Sequence, residues 1–266
     1  MTIPGKNTLN ANIEGVAFWT RGLPTWADAR AFVREGVQPA DAPTRPSPQL
    51  LAPNERRRAP ESVAVALEVA LAACQAAGRD PATLPSVFAS THGDLAITDY
   101  ICSTLATDPA GLSPIRFHNS VHNAAAGYWT IGNGCTEPAT AISAYDASFA
   151  QGLLEALAQV HAGAPAVLLV AYDTAATGPL QEVSRSTGLL GAGLVLSSPS
   201  HGAAPRLRAT LVDADAPPPQ GALASLAGGN AMAPMLPLFE ALASGHDLVS
   251  LHAGPRRALR VEIAYG

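Results

Sequence analysis

Charge is scarce in this chain: only 14% of its 266 residues are Asp, Glu, Lys or Arg, and the net charge is -5. A broad basic face for nucleic acid or for an anionic membrane surface is therefore not expected, and neither is taken as a partner. Cysteine is also sparse. Cys74, Cys102 and Cys135 show no C-x-x-C spacing and cannot all pair within one chain, which fits a reducing cytoplasm and implies no disulfide framework. Long apolar runs are missing too. The longest, around Val167 to Ala171, is far short of the roughly 20 residues needed to cross a bilayer. The start, MTIPGKNTLNANIEG, has neither a basic segment followed by an apolar run nor an Arg-rich amphipathic pattern, so no targeting segment is expected and the location is read as cytoplasmic. Neither an internal repeat nor a heptad pattern is visible. What the chain does have is 48% hydrophobic residues, ample for a sizeable buried core.

Apolar periodicity predicts strands separated by helices. Asn12 to Trp19 reads as a strand and Trp26 to Glu35 as a short helix, followed by a proline-rich surface connection from Gln38 to Pro53. Pro60 and Glu61 open a strong helix through Val63, Leu67, Ala70, Leu71 and Cys74, with Gly78 as its stop. Ser86 to Ser90 reads as a strand, with a helical pattern from Leu95 to Leu105 and another helix from about Asn119 to Ile131. Ala139 to Ala144 is expected to be a buried strand running into a helix that carries Leu153, Leu154, Leu157 and Val160. Ala166 to Tyr172 has the continuous apolar character of a strand covered on both faces, and Gly193 to Ser198 is a further strand. Beyond these, Ala214 to Gly229 is expected to be a flexible link, Pro234 to Ser244 a helix, and Ala258 to Tyr265 a last strand. This alternation predicts βαβ units and a layered α/β fold. Trp19, Trp26, Tyr100 and Trp129 are read as core or interface aromatics.

The segment from Phe117 to Leu157 carries the strongest signal. Ala144, Tyr145, Asp146, Ala147 and Ser148 occupy the place of a strand-to-helix turn written T-A-C-A-S, and Asn123 with Ala126 and Gly127 forms N-x-x-A-G ahead of it. Glu137-Pro138, the NERRRA segment Asn54 to Ala59, the strand Val167 to Asp173 and Gly191-Ala192-Gly193 agree in order and spacing. Together, from roughly Asn12 to Ser198, these residues resemble the β-ketoacyl synthases of the thiolase superfamily. The resemblance implies a thiolase-like layered α/β fold with a mixed sheet, its amino-terminal half complete and its carboxyl-terminal half truncated. It also implies a single ketosynthase-like domain over 1–266, with 12–200 as the thiolase-like half and 201–266 as a short extension.

Two departures bear on chemistry. Asp146 stands where the family has its nucleophilic cysteine, and the two histidine loops of the family are missing; His201-Gly202 lies too soon after the turn, while His246 and His252 lack the family's neighbours. A ketosynthase cysteine attacks a thioester as a thiolate favoured by a helix amino terminus, while histidines hold the charge that develops on oxygen. A carboxylate attacking there would form a reactive mixed anhydride, so no acyl transfer by this chain alone is expected and no catalytic residue is assigned. Asp146 has a plain structural role available as a cap on the first turn of the following helix. Ser148 would need an adjacent base, and no G-x-S-x-G surrounds it.

His118 and His122 form H-x-x-x-H, which on one helical face could start a zinc site. With no third ligand signalled, a hydrogen-bonded or interface pair is the reading adopted, and neither metal nor cofactor is expected. By the resemblance, Phe117, His118, His122 and Asn123 are contacts with a partner or with its growing chain. Arg56, Arg57 and Arg58 are either a solvated surface or a docking point for an acidic acyl carrier protein. The family thus implies a non-catalytic chain-length factor, of the truncated kind in aryl polyene and xanthomonadin-type pigment clusters. Such a factor pairs as a heterodimer with an active β-ketoacyl synthase and shapes the tunnel in which a polyketide or fatty-acid-type chain grows. An independent acyl-thioester decarboxylase or hydrolase, using the elbow without cysteine, is the alternative.

Overall fold

The computed structural model describes residues 8–199 and 204–266, so His201-Gly202 lies outside the described residues. In chain order the elements are β1 (Thr8–Thr20), α1 (Trp26–Glu35), α2 (Pro53–Arg58), α3 (Glu61–Ala77), β2 (Ser86–Ala89), α4 (Leu95–Thr107), α5 (Pro114–His118), α6 (Ala124–Asn133), β3 (Ala139–Ile142) and α7 (Ser148–His161). They continue with β4 (Ala166–Asp173), α8 (Leu180–Val183), β5 (Leu190–Ser197), β6 (Arg206–Val212), α9 (Ala222–Ala227), α10 (Leu236–Ser244), β7 (Leu248–Gly254) and β8 (Arg257–Ala264).

All eight strands form one mixed sheet in the order β3-β2-β4-β5-β1-β6-β8-β7. The first three are parallel, joined by helical crossovers, and every later pairing is antiparallel. One face of the sheet carries α3 and α6 over Trp19, Phe88 and Trp129. Across the other, α7, α10 and α1 close over a cluster of Phe18, Phe149 and Phe239, with Trp26 set edge-on to Phe239. Strand β4 is buried throughout, as its unbroken apolar run requires of a strand covered on both faces.

Helix α3 lies against the sheet at backbone distance. A Cβ on Gly15 of β1 would fall 2.2 Å from the carbonyl oxygen of Ala73, and one on Gly193 of β5 would fall 2.6 Å from that of Val69. Only glycine fits at these two crossings. The helix is buried around most of its circumference, with Val63 through Leu67 consecutively inaccessible. Its ends follow the sequence, and Gly78 stops it in the left-handed conformation.

Several expectations are corrected. The predicted buried strand at Ala139 to Ala144 is the edge strand β3, covers only Ala139–Ile142, and is at most half-buried. The helix expected from about Asn119 to Ile131 begins only at Ala124, as α6; residues 119–123 form a turn that separates it from α5, a short helix that was not expected. Ala214 to Gly229 is not simply a link, because α9 forms within it. Glu240 makes this possible by accepting hydrogen bonds from the backbone of Ala222 and Leu223 at 3.0 Å each. Strands β6 and β7 were not foreseen. Their apolar residues alternate with arginine, serine and histidine, giving strands buried on one face only. Among the described residues no helix is long and apolar enough to cross a membrane.

Candidate functional site

The turn between β3 and α7 is a sharp elbow at the carboxyl ends of the parallel strands, where α/β folds place their ligands. Tyr145 adopts φ 54°, a left-handed conformation that costs a non-glycine residue about 1 kcal/mol or more. What holds it there is Ser148, whose buried hydroxyl donates to the carbonyl of Tyr145 and accepts from the N–H of Ala144 at 2.9 Å. The serine is spent on the turn and has no base beside it, so it is a fastener rather than a nucleophile.

Asp146 projects from the apex. Its side chain is 58% exposed, and its carboxylate meets His252 Nε2 of β7 at 3.3 Å. The expected capping role is corrected: α7 is preceded by Ala147 at its N-cap and receives no side-chain cap. Ala147 and Ser148 instead donate their N–H groups to Ala144 and Tyr145 within the turn, so the tightness of the elbow leaves Asp146 outside capping geometry. A cavity of about 290 Å³ opens beside the pair, walled by Pro217, Pro218, Pro219, Pro234 and Pro237.

A second polar centre lies behind the elbow. The Asp173 carboxylate, at the end of β4, accepts from Ser90 Oγ at 2.7 Å and from the N–H of Thr91 at 2.9 Å. Burial raises its pKa above the usual carboxylate range, against the opposing pull of these hydrogen bonds. Ser90 Oγ in turn accepts from Gly93 N–H, and Asn230 donates to the carbonyls of Asp173 and Thr187 at 3.1 and 3.0 Å. Thr91 joins the two centres, since its hydroxyl donates to the Tyr145 carbonyl at 3.3 Å while its carbonyl accepts from Ser143 Oγ at 2.9 Å.

The histidines of H-x-x-x-H separate. His118 ends α5 and sets its ring edge-on to Tyr128, whereas His122 sits in the turn before α6 and donates from Nε2 to the Ser90 carbonyl at 2.8 Å. They do not share a helical face, because the helix breaks between them. Among the described residues no group of three or more His, Cys, Asp or Glu is placed to hold a metal ion. His118 and Asn123 do line one apolar cavity of about 280 Å³, with Leu50, Val121, Tyr128 and Ile131. Phe117 is exposed. The three arginines diverge: Arg56 donates to the Leu51 carbonyl at 2.9 Å, Arg57 to Asn54, and Arg58 faces another cavity. None of the cysteines stands at the elbow. Cys74 lies buried in α3, where burial raises its thiol pKa to about 12, Cys102 is on α4, and Cys135 follows α6.

Asn230 and Thr91 were missed, and His252, set aside for lacking the family's neighbours, is the residue that meets Asp146. Their signals were weak but present: His252 alternates with the inward-facing Leu251 and Ala253, which marks it as the outward side of a strand.

Residues 25–255 match the sequence pattern of the beta-ketoacyl synthase N-terminal domain. The chain belongs to that family. No curated protein matches it by sequence. Among solved structures it is similar to a chain of the ketosynthase (ApeO) in complex with its chain length factor (ApeC) from Xenorhabdus doucetiae, with 22% identity and a TM-score of 0.76 over 96% of this chain and 99% of that one. It is also similar to a chain of the ishigamide ketosynthase/chain length factor, at 14% identity and TM-score 0.69 over 98% and 99%. A chain of AntDE:AntF, a type II polyketide synthase acyl-carrier protein in complex with its ketosynthase bound to the hexaketide, matches at 12% identity and TM-score 0.72 over 97% and 99%. At these identities the likeness establishes the fold, a thiolase-like ketosynthase architecture.

Proposed function

We propose that this β-ketoacyl synthase family member is a non-catalytic chain-length factor, which pairs with an active β-ketoacyl synthase and shapes the acyl tunnel during polyketide or fatty-acid-type synthesis, including that of aryl polyene pigments. The observation that carries the reading is the elbow itself. The backbone turn that would present a nucleophile is there, with Tyr145 in its left-handed conformation, while its apex holds a carboxylate 3.3 Å from His252 Nε2. Such a group does not attack a thioester productively, and no cysteine stands near it in the fold to replace it.

Surface character supports a standing partner. Ile115, Phe117, Val121 and Ile131 are exposed on and between α5 and α6, and Ile131 is 83% accessible. Beside them β3 leaves one edge of the sheet unpaired within the described chain. An apolar patch next to an open strand edge is a surface that a partner covers at a profit in free energy. The similar chains in the ketosynthase complexes are matched over almost their full length, which favours the same kind of assembly here. In this reading Phe117, His118 and Asn123 contact the partner or the chain it elongates, with His122 supporting them from behind. An acyl carrier protein is reached through that partner, and Arg58 is the member of the arginine run best placed to meet it.

A second reading, a decarboxylase or hydrolase of acyl thioesters, is favoured by one observation: the Asp146–His252 pair beside its 290 Å³ cavity. One experiment separates the two. The chain is purified alone and with an active β-ketoacyl synthase from the same organism, then tested for complex mass, for thioester turnover and for product length. A stable one-to-one complex whose product length shifts when Phe117 is made smaller or larger supports the chain-length factor. Turnover of malonyl or acyl thioesters by the chain alone, abolished by Asp146→Ala, overturns it.

A further inference from the structure

At the end of the sheet opposite β3, β7 is the other edge strand, with β8 on one side of it and no strand on the other among the described residues. The Ile263 N–H donates to the Asp247 carbonyl at 2.8 Å, which fixes the alternation of this antiparallel pair: the peptide groups of Asp247, Val249 and Leu251 turn inward to β8, and those of Leu248, Ser250 and His252 turn outward. The outward groups make no hydrogen bond among the described residues. Such an edge is a template for one more strand.

The loop that passes the edge cannot close it. It brings Pro217 and Pro218 alongside β7, and proline has no N–H to offer a ladder. Two cavities of about 360 and 290 Å³ open there instead. Both are lined by Pro217, Pro218, Pro237 and Ser250, so they adjoin as one groove along the strand, with proline rings for its apolar wall.

Charge says what fits. Asp146 lines the groove at its His252 end and Glu240 at its Leu248 end, no lysine or arginine lines it, and its only basic groups are His246 and His252. The arginines of the adjoining strand β8 are already matched, Arg257 by Asp213 at 4.0 Å and Arg260 by Glu262 at 3.4 Å. Two copies of this chain paired antiparallel through β7 would set the Asp146 end of one against the Glu240 end of the other, so charge opposes self-pairing and favours a cationic occupant. We infer that the β7 edge takes up an extended peptide segment of another protein that carries lysine or arginine. Its backbone extends the sheet through Leu248, Ser250 and His252, its apolar side chains lie against the prolines, and a cationic side chain meets Asp146. This site is at the far end of the sheet from the apolar patch beside β3 and does not rest on the chain-length reading.

The test titrates the full chain with a capped heptapeptide of alternating lysine and valine, read by calorimetry and by amide exchange. Saturable binding is expected, with slowed exchange at Leu248, Ser250 and His252. The same peptide N-methylated at every amide, and a second with glutamate in place of lysine, should each bind at least about tenfold more weakly. Ser250→Pro removes an outward N–H and leaves the ladder to β8 intact, so it should weaken binding about fivefold or more; where that variant fails to fold, the N-methylated peptide on the native chain decides. Asp146→Asn should weaken binding about two- to fivefold, the range of an exposed charge pair, and by less in high salt. Absence of saturable binding by the lysine and valine peptide, equal binding of either control peptide, or protection confined to other strands overturns the assignment. A dimer of the native chain that Ser250→Pro dissolves would give the edge to a second copy and overturn it as well.

Discussion

Two aspartates, one ending β4 and one beyond the carboxyl end of β3, two strands with β2 between them, show how differently one residue type can be used. Asp173 ends β4 at 1% exposure and holds Ser90 and Thr91. Asp146 follows β3 with its side chain 58% exposed and meets His252. The first is a keystone: its carboxylate is the acceptor on which the turn after β2 is built, and through Thr91 it reaches the elbow. The second stands on the structure that the first secures. The fold of the elbow therefore does not depend on the side chain at its apex, because support and apex are joined through backbone atoms.

The largest test of this contrast is Asp173→Ala. It strands the Ser90 hydroxyl and the Thr91 N–H inside the protein, and a loss of about 3 kcal/mol or more in unfolding free energy is expected by urea titration. Thr91 would also release the Tyr145 carbonyl, so the elbow should show faster amide exchange at Ala147 and Ser148 than in the native chain.

A second test uses pH. Because burial raises the Asp173 pKa above its ordinary 3.8, the folded state keeps its proton to higher pH than the unfolded chain does. The unfolded chain then binds fewer protons across that window, so this group's contribution to stability is full below about 3.8 and falls as pH rises through the folded value. Asp173→Asn lacks this slope. Its stability relative to the native chain should improve as pH is raised from about 3.8 through the folded value of Asp173 and then level off; a difference independent of pH would mean that Asp173 is not held in this raised state.

The unequal legibility of the two centres in the sequence has a physical basis. The αβ alternation, the long helix α3 with its Gly78 stop, and the buried strand β4 were readable because local periodicity and capping chemistry dictate them. The elbow was readable as a motif. Its interior was not, since Asp173, Ser90, Asn230 and Thr187 are brought together only by the sheet, across as many as 83 residues between Ser90 and Asp173. The break between His118 and His122 is marked by no proline or glycine, only by the weaker turn residues Asn119, Ser120 and Asn123, which did not outweigh the helical pattern beyond them. Strands β6 and β7 were hidden by their polar faces, and with β7 went His252, the partner of Asp146.

Ser148→Ala probes the fastening of the elbow at an intermediate scale. It removes the hydroxyl that both donates to Tyr145 and accepts from Ala144, leaving a strained residue with less to hold it. A loss of about 1–2 kcal/mol is expected by the same titration, together with broadening of the Tyr145 and Asp146 amide signals.

The smallest effect belongs to Asp146→Ala. Even a fully charged pair of solvent-accessible groups is screened and worth roughly 0–1 kcal/mol, so loss of the contact with His252 should move stability by about 0.5 kcal/mol or less, and less still in high salt. The helix that follows should not fray, because its start takes no hydrogen bond from this side chain. If the chain works by shape beside an active ketosynthase, complex mass and product length should also remain as in the native pair. A change in product length without a change in stability would instead put Asp146 in contact with the growing chain. The two aspartates would then differ not as support and vacated apex but as support and working surface.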